Sequence, residues 1–285
     1  MNTKHQLITL VLLVALLLTG CNSQVKVGAL QTESQSVELG NAESVRVEID
    51  MGAGDLTLTG GAEKLMEADF TYNVARLKPN VDYTDGTLVV RQPEVNGFPS
   101  LLGIADFRNE WGVRLFDAVP MDLSVVMGGG TSDLQLAGLS LTKLDVTLGA
   151  AAGTIDLSGD WTHDLAITID AGAGGLTVWL PRDVGVRVDV DRGATLINTI
   201  SLTQDGNIYT NAAYGVSEVT LQIDLKTGIG VVNLDVEDAA ATRDYSPVTG
   251  ELFQLIPVTV EKAGLTGQSC GLNEKTTLAT RSTYS

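Results

Sequence analysis

Few residues of this 285-residue chain have side chains that could do chemistry. Its two histidines are His5 and His163, and its two cysteines are Cys21 and Cys270. Zinc sites use several His and Cys ligands held together, and a His is the commonest general acid or base in enzymes. Because His163 has only Asp164 beside it, we predict no metal site, no cofactor and no catalytic residue.

The carboxylates are plentiful but unpatterned. The chain has 35 Asp and Glu residues against 18 Lys and Arg, a net charge of −17 and a pI near 4.3. This balance argues against nucleic acid and anionic membrane surfaces as partners, because both reward clusters of Lys and Arg. A polysaccharide-active enzyme with a carboxylate pair stays a remote alternative, since the sequence singles out no pair.

Cys21 is the residue with the clearest predicted modification. It follows the polar start Lys4-His5, the apolar run from Leu7 to Leu18, and Thr19-Gly20. The run is too short for a stable membrane-spanning helix and is typical of a secretory signal peptide over residues 1–20. Residues 18–21 resemble the lipobox of bacterial lipoproteins, in which the cysteine becomes the lipidated first residue.

This resemblance implies that the mature chain is held on a bacterial membrane by diacylglyceryl and acyl chains, such as palmitate, on Cys21. Each buried methylene contributes about 0.8 kcal/mol, so two or three chains anchor a protein without spanning the bilayer. We expect an extracytoplasmic protein, at the cell surface or facing the periplasm. A lipidated Cys21 leaves Cys270 without a disulfide partner in the chain.

A pattern with a step of 21 residues organises the chain from Leu123 to Val190. Triplets of alternating apolar residues recur at this step and predict strands with one buried face. Glycine-rich corners follow the triplets, and such short units must stack on each other to bury that face. The triplets are Leu123/Val125/Met127, Leu144/Val146/Leu148, Leu165/Ile167/Ile169 and Val186/Val188/Val190.

The fold class that this pattern favours is an all-β solenoid with coils of about 21 residues. Outward residues such as Thr147 and Thr168, one step apart, are expected to stack into ladders. The alternative is a propeller with two units per blade, but four clean units and no blade motif argue against it.

The domain organisation follows from the same pattern. After the signal peptide we predict a lipidated N-terminus and tether over residues 21–40, with a short strand near its end as one option. An N-terminal β domain follows over 41–120 and the regular solenoid over 121–236. Residues 237–285 are expected to form a poorly ordered tail, in which Phe253–Val260 is one more candidate strand.

The segment 92–120 interrupts the period and concentrates aromatic residues that are scarce elsewhere. Two interpretations stay open for it. The aromatics form a surface that binds a partner, or they cover the core at one end or one face of the stack. The residues concerned are Phe98, Phe107, Trp111 and Phe116.

An ordered set of motifs from Val45 to Val236 resembles the bacterial toast-rack family. The resemblance extends to adhesin-type repeat proteins and to the C-terminal domain of membrane regulators of the cell-wall-antibiotic response. It implies a right-handed, single-stranded parallel β-helix outside the cytoplasm, and it brings no established catalytic residues. The motifs are Gly52-x-Gly54-x-Leu56-x-Leu58, Trp111, Val119-Pro120-x-Asp122-Leu123, Val184-Gly185-Val186-Arg187-Val188 and Tyr209-x-Asn211-x-Ala213-Tyr214-Gly215.

These observations predict a non-enzymatic, membrane-anchored envelope lipoprotein whose solenoid presents an interaction surface, as an adhesin-like or scaffold module. Its expected partners are the membrane, through Cys21, and an envelope protein or glycan. The alternative is an accessory to envelope-stress or cell-wall-antibiotic sensing, by analogy with the regulators. The oligomeric state is open.

Overall fold

The computed structural model describes residues 27–93 and 106–236, and in these ranges the chain is all-β apart from one 3-10 turn at Ala75–Leu77. None of these residues forms an apolar helix of the length that crossing a bilayer requires. The thirteen strands of one sheet are β1 Gln31–Val37, β2 Val45–Thr59, β3 Met66–Tyr72, β4 Asn80–Thr84, β5 Thr87–Arg91, β6 Asn109–Leu115, β7 Met121–Gln135, β8 Leu141–Asp156, β9 Leu165–Leu180, β10 Gly185–Ile200, β11 Thr203–Asp205, β12 Ile208–Thr210 and β13 Thr220–Val236.

Six long strands make the body of this sheet. They lie in the order β2, β7, β8, β9, β13, β10, and each is parallel to its neighbours. Beyond β10 the short antiparallel strands β12 and β11 follow. The sheet is open, with separate edge strands on both sides.

Each long strand bends at its glycine-rich centre and continues as the same strand. In β2, Met51 and Ala53 are buried before the bend, and Leu56 and Leu58 are buried after it. The inward positions thus shift by one residue, as at a β-bulge, and Gly54 takes up the shift with φ +144°. The predicted strand, corner, strand unit is therefore one bent strand of 15–17 residues.

Glycine is required at the bend because neighbouring backbones touch there. A Cβ on Gly130 would lie 1.9 Å from the carbonyl oxygen of Gly54, and one on Gly230 would lie 1.8 Å from that of Gly174. No side chain fits at such distances. An adjacent row begins at the Gly52 carbonyl, and in it a Cβ on each further glycine would meet the carbonyl oxygen of the glycine on the neighbouring strand: Gly128, Gly149, Gly172, Gly228 and Gly193.

The inward residues of both strand halves belong to one hydrophobic core. Leu123 and Val125 before the bend of β7, and Leu134 after it, are all fully buried in the same cluster. Since the described residues include no α-helix to cover this face, the two halves of the bent sheet must cover each other. The apolar triplets recognised in the sequence are these inward residues.

The stacking register departs from the expected step. Leu123 pairs with Leu144, 21 positions later, but Leu144 pairs with Ile167, 23 positions later. The last strand, β13, then inserts between β9 and β10, so the third and fourth units are not neighbours. The structure therefore does not confirm a β-helix of uniform 21-residue coils.

The predicted threonine ladder is wrong for the same reason. Thr147 pairs with Asp170, and Thr168 pairs with Asp145, because of the two-residue slip between β8 and β9. A slip of two keeps inward residues inward, so the core tolerates it.

The sheet branches at β2. The first half of β2 pairs with β5, which forms an antiparallel hairpin with β4, while its second half pairs with β6, followed by β3 and β1. The hairpin turns at Asp85 and Gly86, both with positive φ, as Asp-Gly pairs in two-residue turns commonly are.

Candidate interaction surface

The residues singled out in the sequence do not come together as one surface. Cys21 and Phe98 lie outside the described residues. Trp111 is 1% exposed, Phe116 is partly buried against the core, and Phe107 is partly exposed. The described aromatics of this segment therefore favour the core interpretation, most clearly at Trp111.

Trp111 is held in the core by two specific contacts. Its ring meets Phe70 edge-on, with ring centroids 5.4 Å apart and planes at 79°. Its indole Nε1–H donates to Asn109 Oδ1 at 3.0 Å. A buried Trp side chain usually donates its indole N–H to an acceptor in this way. Trp111 is thus a structural anchor on β6.

Two buried amides fill the gap where the sheet branches. Gln92 Oε1 accepts from the backbone N–H of Gly52 at 3.1 Å and from that of Ala53 at 3.3 Å. Asn109 Nδ2 donates to Gln92 Oε1 at 2.9 Å and to the Ala53 carbonyl at 2.5 Å. These side chains bond the bent backbone of β2 on the side where neither β5 nor β6 pairs with it, opposite β7. They form a structural network that sequence patterning did not reveal.

His163 and Asp164 do not form a catalytic dyad. His163 is exposed between β8 and β9, and its Nε2–H donates to the Leu141 carbonyl at 2.8 Å. Asp164 Oδ1 accepts from the Thr220 backbone N–H at 2.8 Å. Within the described ranges, no group of three or more His, Cys, Asp or Glu side chains is arranged to hold a metal ion.

The described part of the chain offers little enclosed space at the bend. A cavity of about 10 Å³ there is lined mainly by small and apolar residues, among them Leu148, Ala151, Gly172 and Val232. This volume is about the space that one water molecule needs, far below the 300–1,000 Å³ typical of small-molecule sites. Any recognition at this place must use the open faces of the sheet.

A spacing of G-x-S-x-G occurs at Gly267-Gln268-Ser269-Cys270-Gly271, outside the described residues. In hydrolases the serine of this motif sits on a tight turn from a strand into a helix, with acidic and histidine partners placed by the fold. The spacing alone carries no assignment.

The outward side of the sheet carries a regular grid where the second halves of β9, β13 and β10 run side by side. Nine outward positions lie in three rows, and we call this set the nine-residue face. Its rows, fixed by the strand register, are Gly175/Val231/Leu196, Thr177/Asn233/Asn198 and Trp179/Asp235/Ile200. Strand and residue spacings give it dimensions of about 10 Å by about 13 Å.

The middle row of the nine-residue face is a hydrogen-bonded ladder. Asn233 Nδ2 donates to Thr177 Oγ1 at 3.2 Å, and Asn198 Nδ2 donates to Asn233 Oδ1 at 2.9 Å. The ladder fixes the amide orientations, so their remaining donors and acceptors point outward in a defined arrangement.

Apolar side chains flank this ladder on both sides. Leu196 is 61% exposed and Ile200 is 56% exposed, while Trp179 is partly exposed. A mixture of amides, an aromatic ring and exposed aliphatic groups is typical of recognition surfaces, where charged residues are depleted.

The nine-residue face is nearly free of charge in a strongly acidic protein. Its one ionisable residue is Asp235, and partial burial raises the pKa of that carboxyl. On the first halves of the same strands the outward positions include Asp170, Asp224 and Asp189 together with Arg187 and Lys226. The first halves, which we call the acidic half, are thus charged with a small excess of carboxylates, whereas the nine-residue face is nearly neutral.

Sequence reasoning missed this face because it treated β9 and β10 as neighbours. Each strand alone shows only alternation, for example Thr177 and Trp179 outward between Leu176, Val178 and Leu180. The grid appears only when β13 lies between β9 and β10.

Comparisons with known proteins agree with this architecture. The family model described as the N-terminal domain of toast_rack, DUF2154, matches residues 26–179, more than half of the chain. None of the curated proteins matches the chain.

Two solved structures illustrate the structural similarity. A "putative cell adhesion protein" from Clostridium sporogenes is 28% identical, with a TM-score of 0.69, and the match covers 73% of this chain and 100% of that one. A "putative adhesin" from Bacteroides fragilis is 12% identical with a TM-score of 0.33, over 72% of this chain and 97% of that one. On the strength of the family match and its bent, glycine-centred parallel strands, the chain belongs to the toast-rack family.

Proposed function

We propose that this protein is a lipid-anchored envelope protein that binds an envelope protein or glycan through the nine-residue face, as an adhesin-like or scaffold module without catalytic activity. The observation that carries this proposal is the neutral, hydrogen-bonded ladder of Thr177, Asn233 and Asn198 on an otherwise acidic sheet. The name of the Clostridium sporogenes structure supports the adhesive role.

The chemistry of the face suits a hydroxyl-rich ligand or a polar protein surface. Asn side chains offer both donors and acceptors, so they can pair with the hydroxyl groups of a sugar or with peptide groups. The Trp179 ring and Ile200 offer apolar area to the less polar side of the same ligand. A small number of well-placed polar groups beside apolar area is the usual basis of specificity.

The binding proposal is tested by capture from the envelope of the cells that make the protein. The full chain, with an affinity tag, is mixed with separated envelope proteins and cell-wall polysaccharides. The double variant Asn198→Ala with Asn233→Ala removes the amides, and Thr168→Ala with Gln222→Ala is the matched control on the first halves of β9 and β13. We expect the amide variant to lose at least about tenfold in capture, which corresponds to about 1.4 kcal/mol. Equal capture by both variants would show that the nine-residue face does not bind the partner.

The anchor is tested separately. Mass spectrometry of the protein purified from membranes should find Cys21 as the first residue, carrying a diacylglyceryl group. The Cys21→Ser variant should lack this modification. An unmodified Cys21 in the wild-type protein would contradict the anchor and leave the binding face untouched.

A further inference from the structure

The nine-residue face is small for a protein partner. Its dimensions give an area of roughly 130 Å², whereas a stable protein interface buries about 800 Å² on each partner. Along the strands the face gives way to charged outward residues on the first halves, such as Asp224 and Lys226 of β13. A protein that covers the required area would have to desolvate these charges, which costs free energy. The neutral area therefore suits a ligand of small cross-section.

The spacing of the ladder indicates the kind of ligand. Thr177, Asn233 and Asn198 lie on three adjacent strands, so their side chains repeat at about 4.8 Å across the sheet. An extended chain of β-1,4-linked pyranose sugars advances by nearly the same length at each sugar. An extended peptide laid across the strands does not match, because its side chains on one face repeat at about 6.6 Å. Three sugars in a row can thus each meet one member of the ladder.

The hydrogen-bonding groups of the ladder also suit sugars. Within the ladder Asn233 uses one N–H towards Thr177, and Asn198 uses one N–H towards Asn233. Each amide has a second N–H and a further oxygen lone pair beyond these bonds, and the Thr177 hydroxyl has its own hydrogen as a donor. Every strand thus offers a donor and an acceptor, which hydroxyl and acetamido groups can both use.

We propose that the nine-residue face binds a neutral chain of β-1,4-linked N-acetylated amino sugars, laid across β9, β13 and β10 with one sugar on each strand. This inference rests on the proposed function and narrows its envelope partner to one class of glycan. Charge supports a neutral chain, since the net charge of −17 and the Asp235 carboxyl within the face disfavour acidic glycans.

The apolar residues on both sides of the ladder account for the acetyl groups. In an extended β-1,4-linked chain neighbouring sugars face opposite ways, so successive acetamido groups project to opposite sides of the chain. Trp179 on β9 and Val231 on β13 lie on opposite sides of the ladder. Ile200 on β10 lies on the same side as Trp179. The three acetyl methyl groups can therefore contact Trp179, Val231 and Ile200 in turn, as the alternation of the sugars requires.

The reverse placement of the sugar chain fits less well. It would put the acetyl groups against Gly175, Asp235 and Leu196, of which Leu196 alone offers an apolar side chain. In the favoured placement Asp235 faces a hydroxymethyl group of the central sugar, because that group projects opposite to the acetamido group. The carboxyl can accept a hydrogen bond from this hydroxyl. The strand register thus selects one placement of the chain.

Calorimetric titration of the full chain tests the proposal. The three probes are the trimer of β-1,4-linked N-acetylglucosamine, the matching trimer of β-1,4-linked glucose, and the single sugar N-acetylglucosamine. We expect the acetylated trimer to bind at least about tenfold more tightly than the glucose trimer, because each buried methyl group strengthens binding by about fourfold. The single sugar should bind at least about tenfold more weakly than the acetylated trimer, since it meets one strand alone.

Three single variants locate the binding. Asn233→Ala removes the central amide of the ladder and should weaken binding of the acetylated trimer by at least about tenfold. Val231→Ala should reduce the preference for the acetylated trimer over the glucose trimer, because it removes a predicted contact to one methyl group. Gln222→Ala changes an exposed polar residue on the first half of β13 and should leave the affinity unchanged.

Either of two results would overturn the proposal. One is a wild-type protein that binds the two trimers equally or binds neither. The other is an affinity for the acetylated trimer that Asn233→Ala leaves unchanged. If capture from the envelope still depends on Asn198 and Asn233, the proposed function stands with a partner of another class. If that dependence is also missing, the proposed function fails as well.

Discussion

At the scale of single residues, the fold depends on glycines at which neighbouring backbones touch. Gly130 has φ +120° and stands against the Gly54 carbonyl, whereas Gly138 is exposed with nothing within 4 Å of an added Cβ. The sequence alone does not show which of these two positions requires a glycine. Only the bend does, since it brings the backbones together.

The first prediction concerns this pair of glycines. Gly130→Ala should lower the free energy of unfolding by about 2–4 kcal/mol, because the methyl group meets a carbonyl oxygen and the backbone angle is strained. Gly138→Ala should change it by no more than about 0.5 kcal/mol. Urea unfolding measures both. Equal effects would show that the bend tolerates a side chain.

Tyr72 gives a prediction on pH. Burial, together with its hydrogen bond to Glu33, raises the pKa of the Tyr72 phenol from 10.0 to about 12. The folded state favours the protonated phenol, so the stabilising contribution is complete below pH 10. It is lost as the pH rises towards 12.

Tyr72→Phe should therefore flatten the fall in unfolding free energy between pH 10 and 12, measured by denaturant titration at several pH values. Tyr214→Phe, at an exposed position, is the control and should leave the slope unchanged. If the unfolding free energy of Tyr72→Phe falls as steeply between pH 10 and 12 as that of the wild type, folding does not raise the pKa of this phenol.

At the scale of elements, the fold depends on the buried hydrogen-bond network at the point where the sheet branches from β2. The buried Asn109 amide bonds Gln92, the Ala53 carbonyl and the Trp111 indole. Asn109→Ala removes all three hydrogen bonds inside the core, including the one that accepts the Trp111 indole N–H, and should cost about 2–4 kcal/mol of unfolding free energy. Asn198→Ala, an exposed amide of the nine-residue face, should cost less than about 0.5 kcal/mol. Thermal or urea unfolding of the two variants measures the difference, and similar losses would argue against the network.

Strand register gives the fourth prediction. In a Cys270→Ser background, cysteines at Thr147 and Asp170 are directly opposed on β8 and β9 and should form a disulfide on mild oxidation. Cysteines at Thr147 and Thr168, which a 21-residue step would pair, should form it slowly or not at all. Counting the free thiols after oxidation shows which of the two cysteine pairs forms the disulfide. Faster bonding of the second pair would restore the 21-residue register.

Much of the strand content could be predicted from the sequence, because alternation is local. The predicted triplets Leu123/Val125/Met127 and Leu144/Val146/Leu148 lie on β7 and β8, with every member buried. The neighbour relations could not be predicted, since a slip of two residues leaves every inward residue inward. The insertion of β13 beside β9 is likewise a non-local choice that no local pattern encodes.

The candidate face shows the same limit. Trp111 stood out because aromatics are scarce, yet its alternation with Val113 and Leu115 already placed it inward. Asn198 and Asn233, 35 positions apart, drew no attention, because their adjacency exists only in the folded sheet.

At the scale of the whole molecule, charge and surface divide the sheet into two regions. The first halves of β9, β13 and β10 carry outward charges of both signs with a small excess of carboxylates, and such charges favour solubility. The second halves carry the neutral nine-residue face. The proposed function depends on this division.

The most direct test of that function is site-specific photo-crosslinking in cells that make the full chain. A photoreactive residue at Asn198 lies on the nine-residue face, and one at Thr168 lies on the acidic half of the same sheet. We predict a discrete crosslinked product with an envelope protein or glycan from position 198 and none from position 168. The same products from both positions, or none from either, would contradict the central claim that this face binds an envelope partner.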